Sequence, residues 1–116
     1  MSDPIIVWNE RDPLCGRRPE QFEAELRARL AGRVKAAYIF GSYGTSEFGP
    51  DSDVDIMLVA ETDKIFTERA LDYPDLYDLA AALDLLVYTP EEFATLTEDP
   101  SPGFWASAVA SMRRIL

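Results

Sequence analysis

The first clear pattern along the chain is that of an amphipathic helix beginning at Pro19. Apolar residues recur there at every fourth position, and polar or small residues fill most of the places between them. The apolar positions are Phe22, Leu26 and Leu30. Proline in the first turn and Gly32 beyond the last apolar position are typical helix boundaries. Residues 1–18 show no such period, and we interpret them as an extended or irregular N-terminal arm.

Three later segments have the composition of β-strands. Residues 34–40 (VKAAYIF) and 54–60 (VDIMLVA) are apolar runs, and the second is nearly continuous, as expected of a strand buried on both faces. Residues 83–89 (LDLLVYT) form the third run. The first two strands flank one loop and are expected to be neighbours, in a relative direction that the sequence leaves open.

Helical patterns follow the second and third strands. Residues 64–83 carry apolar side chains at helical spacing, and we expect Pro74 to break or restart this helix. Those apolar residues are Leu76, Leu79, Ala80 and Leu83. The run Thr89-Pro90-Glu91-Glu92 is a capping box with proline at the first helical position, which predicts a helix over 90–96.

A last helix is predicted from Ser101-Pro102 to Arg113-Arg114. Its large apolar residues either pack on the core or offer a surface to a partner or a second copy. They are Phe104, Trp105, Val109, Met112 and Ile115. The alternation of helices and strands predicts an α/β (α+β) fold, in which helices pack on a small mixed sheet within a single domain of residues 1–116.

Composition excludes several classes of chemistry. The chain has no histidine and one cysteine, Cys15, which excludes histidine-based catalysis, histidine-ligated zinc and an internal disulfide. A net charge of −10 argues against stable, non-specific nucleic-acid binding, which needs a basic surface. Neither a membrane span nor a signal-peptide pattern is present in the sequence, so we expect a cytoplasmic protein without membrane association.

The stretch 41–55 (GSYGTSEFGPDSDVD) carries the most candidate chemistry, with three glycines and four carboxylates. Asp53 and Asp55 are two residues apart at the start of a strand, so their side chains are expected on one face. Neighbouring carboxylates repel unless a cation lies between them, and Mg²⁺ prefers such oxygen ligands. The pair is therefore a candidate magnesium site, with a solvated acidic loop as the alternative.

Two further features are candidates for the same site. Asp84 interrupts the apolar third strand, where an unpaired charge is costly, and it can face the aspartate pair if the second and third strands are adjacent. Gly41-Ser42 follows directly on the first strand, so its turn can offer backbone N–H groups and a hydroxyl to a phosphate. Each has a plain alternative, because Asp84 can point to solvent at a strand end and Gly-Ser is a common turn.

Two competing motifs fail. An EF-hand loop starting at Asp51 needs glycine where Ile56 stands and glutamate where Thr62 stands. A P-loop needs lysine after its last glycine, whereas Gly49 is followed by Pro50. Sugar-nucleotide transferases also use an Asp-x-Asp pair, but usually in larger folds and without the Gly-Ser step.

Gly41-Ser42, ten intervening residues and Asp53-Val54-Asp55 together resemble the G-S-x10-D-x-D signature of the polymerase-β-like nucleotidyltransferases. The segment LDLLVYTPEEF with Asp84 is similar to the third-carboxylate strand of the minimal nucleotidyltransferases. The resemblance implies that Gly41 and Ser42 hold the β- and γ-phosphates of a nucleoside triphosphate, while Asp53 and Asp55 bridge two Mg²⁺ ions. It implies that Asp84 binds the ion that activates an acceptor hydroxyl. The nearby polar residues either contact the nucleotide or are solvated; they are Tyr43, Thr45 and Ser46.

The resemblance also implies an acceptor and a partner. Larger relatives carry a further substrate domain, for which we expect no room in 116 residues, and minimal members are frequently encoded beside a small helical HEPN-type toxin. The implied function is that of an antitoxin that transfers AMP from ATP to a tyrosine of this partner. Two alternatives stay open: a non-catalytic antitoxin that neutralises its HEPN partner by contact, and a small-molecule nucleotidyltransferase whose pocket is built by dimerisation. The complete aspartate set favours an enzyme.

Overall fold

The computed structural model describes residues 12–98 and 104–116, which form helices packed on a four-stranded mixed sheet, as predicted. The α-helices are α1 (Pro19–Leu30), α2 (Pro90–Glu98) and α3 (Phe104–Ser111). The strands are β1 (Ala36–Phe40), β2 (Val54–Val59), β3 (Leu83–Tyr88) and β4 (Arg113–Arg114). Two 3-10 helices, Phe66–Asp72 and Pro74–Leu76, connect β2 to β3. Of the described helices, none is long and apolar enough to cross a membrane.

The sheet order is β3-β2-β1-β4, with β1 antiparallel to both of its neighbours and β2 parallel to β3. The strands that flank the acidic loop are therefore adjacent, as predicted, and their direction is antiparallel. Every residue of the central strand β2 is buried except Asp55, which is partly buried. The prediction of a strand covered on both faces is thus confirmed, with one polar exception.

Helix α1 covers the first face of the sheet. Its stripe of Phe22, Leu26 and Leu30 is fully buried, as the four-residue period predicts. Burying each of these side chains stabilises the fold by about 1.5–3 kcal/mol, more than any capping interaction at the helix ends. They pack on inward-facing strand residues, namely Ala37, Ile39, Ile56, Leu58, Leu85 and Val87.

The second face of the sheet is covered by α2 and α3. Strand residues Tyr38, Phe40, Met57, Leu86 and Tyr88 form a smaller cluster with Phe93, Leu96, Ala108 and Met112. Helix α2 begins with the predicted capping box, in which the Thr89 N–H donates to Glu92 Oε1 (3.0 Å) and the Glu92 N–H donates to Thr89 Oγ1 (3.2 Å). Asp55 lies on this face too, because it comes two residues before Met57 along β2 and side chains two residues apart in a strand point to the same face.

The predicted break at Pro74 within residues 64–83 is confirmed, but the prediction of an α-helix over this segment is wrong. The segment forms 3-10 helices that are separated at Tyr73, whose backbone (φ −128°, ψ 47°) leaves the helical region before Pro74. Two arginines compete for the backbone carbonyls here, since Arg33, which follows α1, donates to the Asp72 carbonyl at 3.0 Å and Arg29 of α1 donates to that of Asp75. The apolar residues of the pattern are buried without an α-helix.

The end of the chain also differs from the prediction. Helix α3 stops at Ser111, and Arg113–Arg114 form β4 rather than a last helical turn, pairing with Ile39 and Tyr38 of β1. The predicted cap at Ser101-Pro102 lies outside the described residues. Of the helix residues, Ala108 is buried in the second core cluster, which supports packing on the core.

The described part of the N-terminal arm, 12–18, is docked on the core. The Asp12 carboxylate accepts from the N–H groups of Leu14 (3.1 Å) and Gly16 (2.7 Å) and closes a turn. This turn places Leu14, 4% exposed, in the main core cluster. Residues 1–11 of the predicted arm lie outside the described residues.

Candidate active site

Pairing of β2 with β3 brings two of the predicted aspartates together. Asp55 lies opposite Asp84 in adjacent parallel strands, so both carboxylates project from the second face of the sheet. Asp53 precedes Asp55 by two residues, and its charge acts on Asp55. The condition stated for Asp84, that its strand lies beside β2, is met. Asp53 and Asp84 are exposed, whereas Asp55 is partly buried.

The environment of Asp55 opposes its ionisation. Burial is the largest cause that raises the pKa of Asp55, and together with the charge of Asp84, a hydrogen bond with Asp84 and the charge of Asp53 it brings the pKa to about 6. No basic residue appears among the groups that shift this pKa. A partly buried carboxylate with two acidic neighbours is an arrangement that a bound cation would relieve.

Gly41 packs directly on this carboxylate. Phe40, the last residue of β1, is paired with Asp55, and the chain then turns through Gly41 with φ +80°. A Cβ atom on Gly41 would overlap Asp55 Oδ2 and lie 3.4 Å from Asp55 Cγ. Glycine is therefore required here for two reasons, its left-handed backbone and the space taken by Asp55.

The turn after Gly41 leaves hydrogen-bond donors available beside the aspartates. The Gly41 N–H donates to Ser111 Oγ (3.0 Å), while the Ser42 carbonyl accepts from the Thr45 N–H (2.9 Å) and hydroxyl (2.6 Å). Within residues 12–98 and 104–116, the Ser42 N–H and hydroxyl have no hydrogen-bond partner. These two groups suit an anionic ligand such as a phosphate.

Tyr43 anchors the loop to α1. It is 9% exposed, its hydroxyl donates to Glu23 Oε2 (2.9 Å), and its ring contacts those of Phe22 and Phe48. Burial and then the Glu23 carboxylate raise the pKa of Tyr43. Tyr43 is thus neither a solvated loop residue nor free to contact a nucleotide. Thr45 is exposed but bonded within the turn, and Ser46 is exposed.

The three aspartates supply a donor set that fits magnesium. In the described ranges 12–98 and 104–116, no three acidic, cysteine or histidine side chains converge as placed on one metal position. Magnesium usually takes one or two carboxylates and completes its shell with water and substrate phosphates. Asp55 and Asp84 meet that need, and Asp53 contributes a further negative charge that acts on Asp55.

Two residues near the site carried no signal in the sequence. Ser111 reaches Gly41 from the end of α3, seventy residues away along the chain. Tyr77 is 44% exposed, and burial and then the charge of Asp84 raise its pKa. Both depend on how distant segments return to the sheet, which no local pattern encodes.

A cleft of about 310 Å³ lies between α1 and β4, on the other side of the glycine loop, by which we mean residues 41–49. Its polar residues are Glu23, Tyr43, Thr45 and Arg113. The Arg113 guanidinium pairs with the Glu23 carboxylate at 2.8 Å, and the Tyr43 hydroxyl bonds to the same carboxylate. The polar groups of the cleft are thus used within the fold, in contrast to Ser42 on the aspartate side.

Comparison with known families identifies the fold. The family model described as polymerase beta, nucleotidyltransferase, matches residues 24–115, which include all five predicted site residues. The chain belongs to this nucleotidyltransferase family. The predicted resemblance is thereby confirmed, and the site just described lies at the motif positions on which it rested. The matched residues run from α1 to β4 and so include the whole sheet.

One curated relative extends the comparison. A protein of Methanocaldococcus jannaschii named "Putative protein adenylyltransferase MJ0604" is 34% identical over 44 residues, 38% of this chain. The chain aligns to 44% of the length of that relative, so the match concerns part of each protein. No solved structure matches this nucleotidyltransferase chain.

Proposed function

We propose that the protein transfers AMP from ATP to a hydroxyl acceptor in a reaction that depends on Mg²⁺. The observation that carries this proposal is the contact of the Gly41 backbone with Asp55, which puts the free donors of Ser42 beside the Asp55–Asp84 pair. A phosphate site and a cation site thus share one edge of the sheet. The family membership and the name of the partial relative support nucleotidyl transfer as the chemistry.

Each residue has a separate task in this proposal. The Ser42 N–H and hydroxyl donate to the terminal phosphates, and the Gly41 turn fixes where they point. Asp53, Asp55 and Asp84 hold two Mg²⁺ ions with their carboxylate oxygens. Bound divalent ions neutralise phosphate charge and align the attacking and leaving oxygens. Burial and then the charges of Asp84 and Asp53 raise the pKa of Asp55, and because a cation offsets that repulsion, the site is expected to favour ion and nucleotide together.

The bond changes follow from this placement. The acceptor oxygen attacks the α-phosphorus, the bond between that phosphorus and the bridging oxygen of the β-phosphate breaks, and pyrophosphate leaves with the electron pair. The acceptor hydroxyl loses its proton to solvent. Asp84 is exposed, so an acceptor can approach it from solvent. Histidine is not needed for this chemistry, in keeping with its absence from the sequence.

For the acceptor, we propose a tyrosine of a small helical partner of the HEPN toxin type, which the transfer would silence. The protein would then act as an antitoxin in the cytoplasm. The support is the resemblance to minimal nucleotidyltransferases and the adenylyltransferase name of the partial relative. The open exposure of Asp84 and Tyr77 suits a macromolecular acceptor better than a small molecule enclosed in a pocket.

The test is incubation of the protein with ATP, Mg²⁺ and the product of the adjacent gene, followed by intact-mass spectrometry of that product. We expect an AMP adduct on a tyrosine, and none with the Asp53→Ala/Asp55→Ala variant. A matched control is Asp63→Ala, an exposed acid outside the site, which should transfer normally. If no adduct forms and the double variant still neutralises the partner, the protein is a contact antitoxin. Transfer to added small hydroxyl compounds alone would indicate a small-molecule enzyme.

A further inference from the structure

The hydrogen bond between Gly41 and Ser111 continues the pairing of β1 with β4. In that ladder Ile39 lies opposite Arg113 and Tyr38 opposite Arg114, so the register extended by two places puts Gly41 opposite Ser111. At this position the acceptor for the Gly41 N–H is the Ser111 hydroxyl, at 3.0 Å, instead of a backbone carbonyl. Ser111 thus adds one more hydrogen bond between the C-terminal segment and the chain at the end of β1.

The Ser111 hydroxyl is itself held in place. It donates to the Ala108 carbonyl (3.2 Å) one turn earlier in α3, so its lone pairs are turned towards Gly41. Ala108 is 4% exposed and packs in the cluster with Phe40 and Met57. Phe40 is the residue directly before Gly41. Ser111 itself is exposed, but it lies one turn after the buried Ala108, so the hydrogen bond links the Gly41 turn to the end of α3 that packs on the second core cluster.

We propose that Ser111 is a positioning residue for the nucleotide site. Its hydroxyl fixes the Gly41 peptide, which lies against Asp55 on one side and leads to the free Ser42 donors on the other. Without this hydrogen bond the Gly41 N–H would bond to water. The Gly41 peptide would then be less restrained, because glycine has more backbone freedom than any other residue. The Ser42 donors would then be less ordered when the triphosphate binds. This inference rests on the proposed function of the same site.

The test compares three variants in MgATP binding by calorimetry and in amide hydrogen exchange by NMR. Ser111→Ala removes the hydroxyl, Ser111→Thr keeps it, and Ser107→Ala makes the same deletion at a second exposed serine of α3. For Ser111→Ala we expect about tenfold weaker MgATP binding and about tenfold faster exchange at Gly41, since one hydrogen bond is lost. Ser111→Thr should stay within about twofold of the wild type, and Ser107→Ala should not differ from it.

The outcomes separate the two proposals. Wild-type affinity and unchanged Gly41 exchange in Ser111→Ala would overturn the positioning role while leaving the proposed function intact. Equal losses in Ser111→Ala and Ser107→Ala would also overturn it, because the effect would then come from α3 as a whole. A wild-type protein that fails to bind MgATP would overturn the proposed function and the positioning role with it. Melting temperatures confirm that each variant is folded under the conditions of the binding assay.

Discussion

The backbone of Gly41 and the carboxylate of Asp55 are in direct contact, and this contact joins the two halves of the site. Gly41 follows the last residue of β1 and begins the turn with the Ser42 donors, whereas Asp55 lies in the adjacent strand and belongs to the acidic set. A larger side chain at position 41 would therefore displace the Asp55 carboxylate. The close fit brings the Gly-Ser step next to Asp55 and, through the pairing of β2 with β3, near Asp84.

The first prediction uses two glycines with the same backbone conformation. Gly41 and Gly44 have φ +80° and +81°, but a Cβ would overlap Asp55 only at Gly41, and at Gly44 nothing lies within 4 Å. Both Gly41→Ala and Gly44→Ala should lose about 1–2 kcal/mol in free energy of unfolding through strain in the left-handed region. Only Gly41→Ala should also lose MgATP binding and transfer, by at least about tenfold. Equal activity of the two variants would contradict the contact with Asp55.

A second prediction concerns stability in the absence of divalent cations. The raised folded-state pKa of Asp55, about 6 against an ordinary 3.8, means that the folded protein holds this proton more tightly than the unfolded chain. The resulting stability is present below about pH 4 and is lost as pH rises to about 6. Asp55→Asn should therefore be more stable than the wild type at pH 8, by about 1 kcal/mol in chemical denaturation, since solvent screens part of the effect on this partly exposed group.

The control for that experiment is Asp63→Asn, an exposed acid away from the site. It should change the free energy of unfolding by no more than about 0.5 kcal/mol at any pH. The advantage of Asp55→Asn should shrink as pH falls from about 6 to about 4. If Asp55→Asn were less stable than the wild type at pH 8, the carboxylate would be stabilising and its described environment would be wrong.

The third prediction is that Mg²⁺ and nucleotide stabilise the protein through Asp55. A ligand at about a hundred times its dissociation constant adds about 2.7 kcal/mol, which corresponds to a rise of several degrees in the melting temperature of a domain of this size. Mg²⁺ with a non-hydrolysable ATP analogue should produce this rise in the wild type, and EDTA should abolish it. Asp55→Asn should show almost none. An equal rise in the variant would place the ion elsewhere.

The elements that could be predicted from the sequence are those with strong local patterns. Helix α1 follows from its four-residue stripe, β2 from a continuous apolar run, and the start of α2 from the Thr89–Glu92 capping box. In the segment 64–83 the break at Pro74 was predicted and the 3-10 form was not, because a helical period describes buried positions and not the hydrogen bonds from Arg29 and Arg33 to its backbone carbonyls. No sequence pattern predicted strand β4, because its two arginines form a strand only through backbone pairing with β1.

The site shows the same division between local and long-range information. The motif residues at 41–55 were identified by their spacing, and Asp84 by its unexpected charge in an apolar strand. That Asp55 and Asp84 lie opposite one another depends on strand order, which the sequence left conditional. Ser111 could not be predicted, because its role follows from the β1–β4 register.

The fourth prediction concerns Arg69, the most buried charged residue of the described chain, 7% exposed. Its guanidinium donates to the carbonyls of Lys64 (2.9 Å) and Val87 (3.1 Å) and pairs with Glu92 (2.6 Å), so it ties the 3-10 segment to β3 and α2. Arg69→Ala leaves these carbonyls unpaired and should lower the free energy of unfolding by about 2–3 kcal/mol.

Its matched control is Arg114→Ala, which removes an exposed guanidinium that donates to the Leu116 carbonyl (2.8 Å). This variant should lose no more than about 0.5 kcal/mol in urea denaturation. Similar losses for both variants would mean that the Arg69 contacts do not differ in strength from those of a surface arginine. MgATP binding by Arg69→Ala, measured below its melting temperature, should stay near the wild-type value because Arg69 lies outside the site.

The most direct test of the central claim is an NMR titration of the isotope-labelled protein with α,β-methylene ATP, with and without Mg²⁺. The account predicts that the amide signals of Gly41 and Ser42 shift most, together with those of Asp53–Asp55, and that they shift only when Mg²⁺ is present. The opposite result would be an absence of shifts, or shifts centred on the cleft of Glu23, Phe48 and Arg113 on the other side of the glycine loop. Either would contradict a nucleotide site built on Gly41 and Asp55.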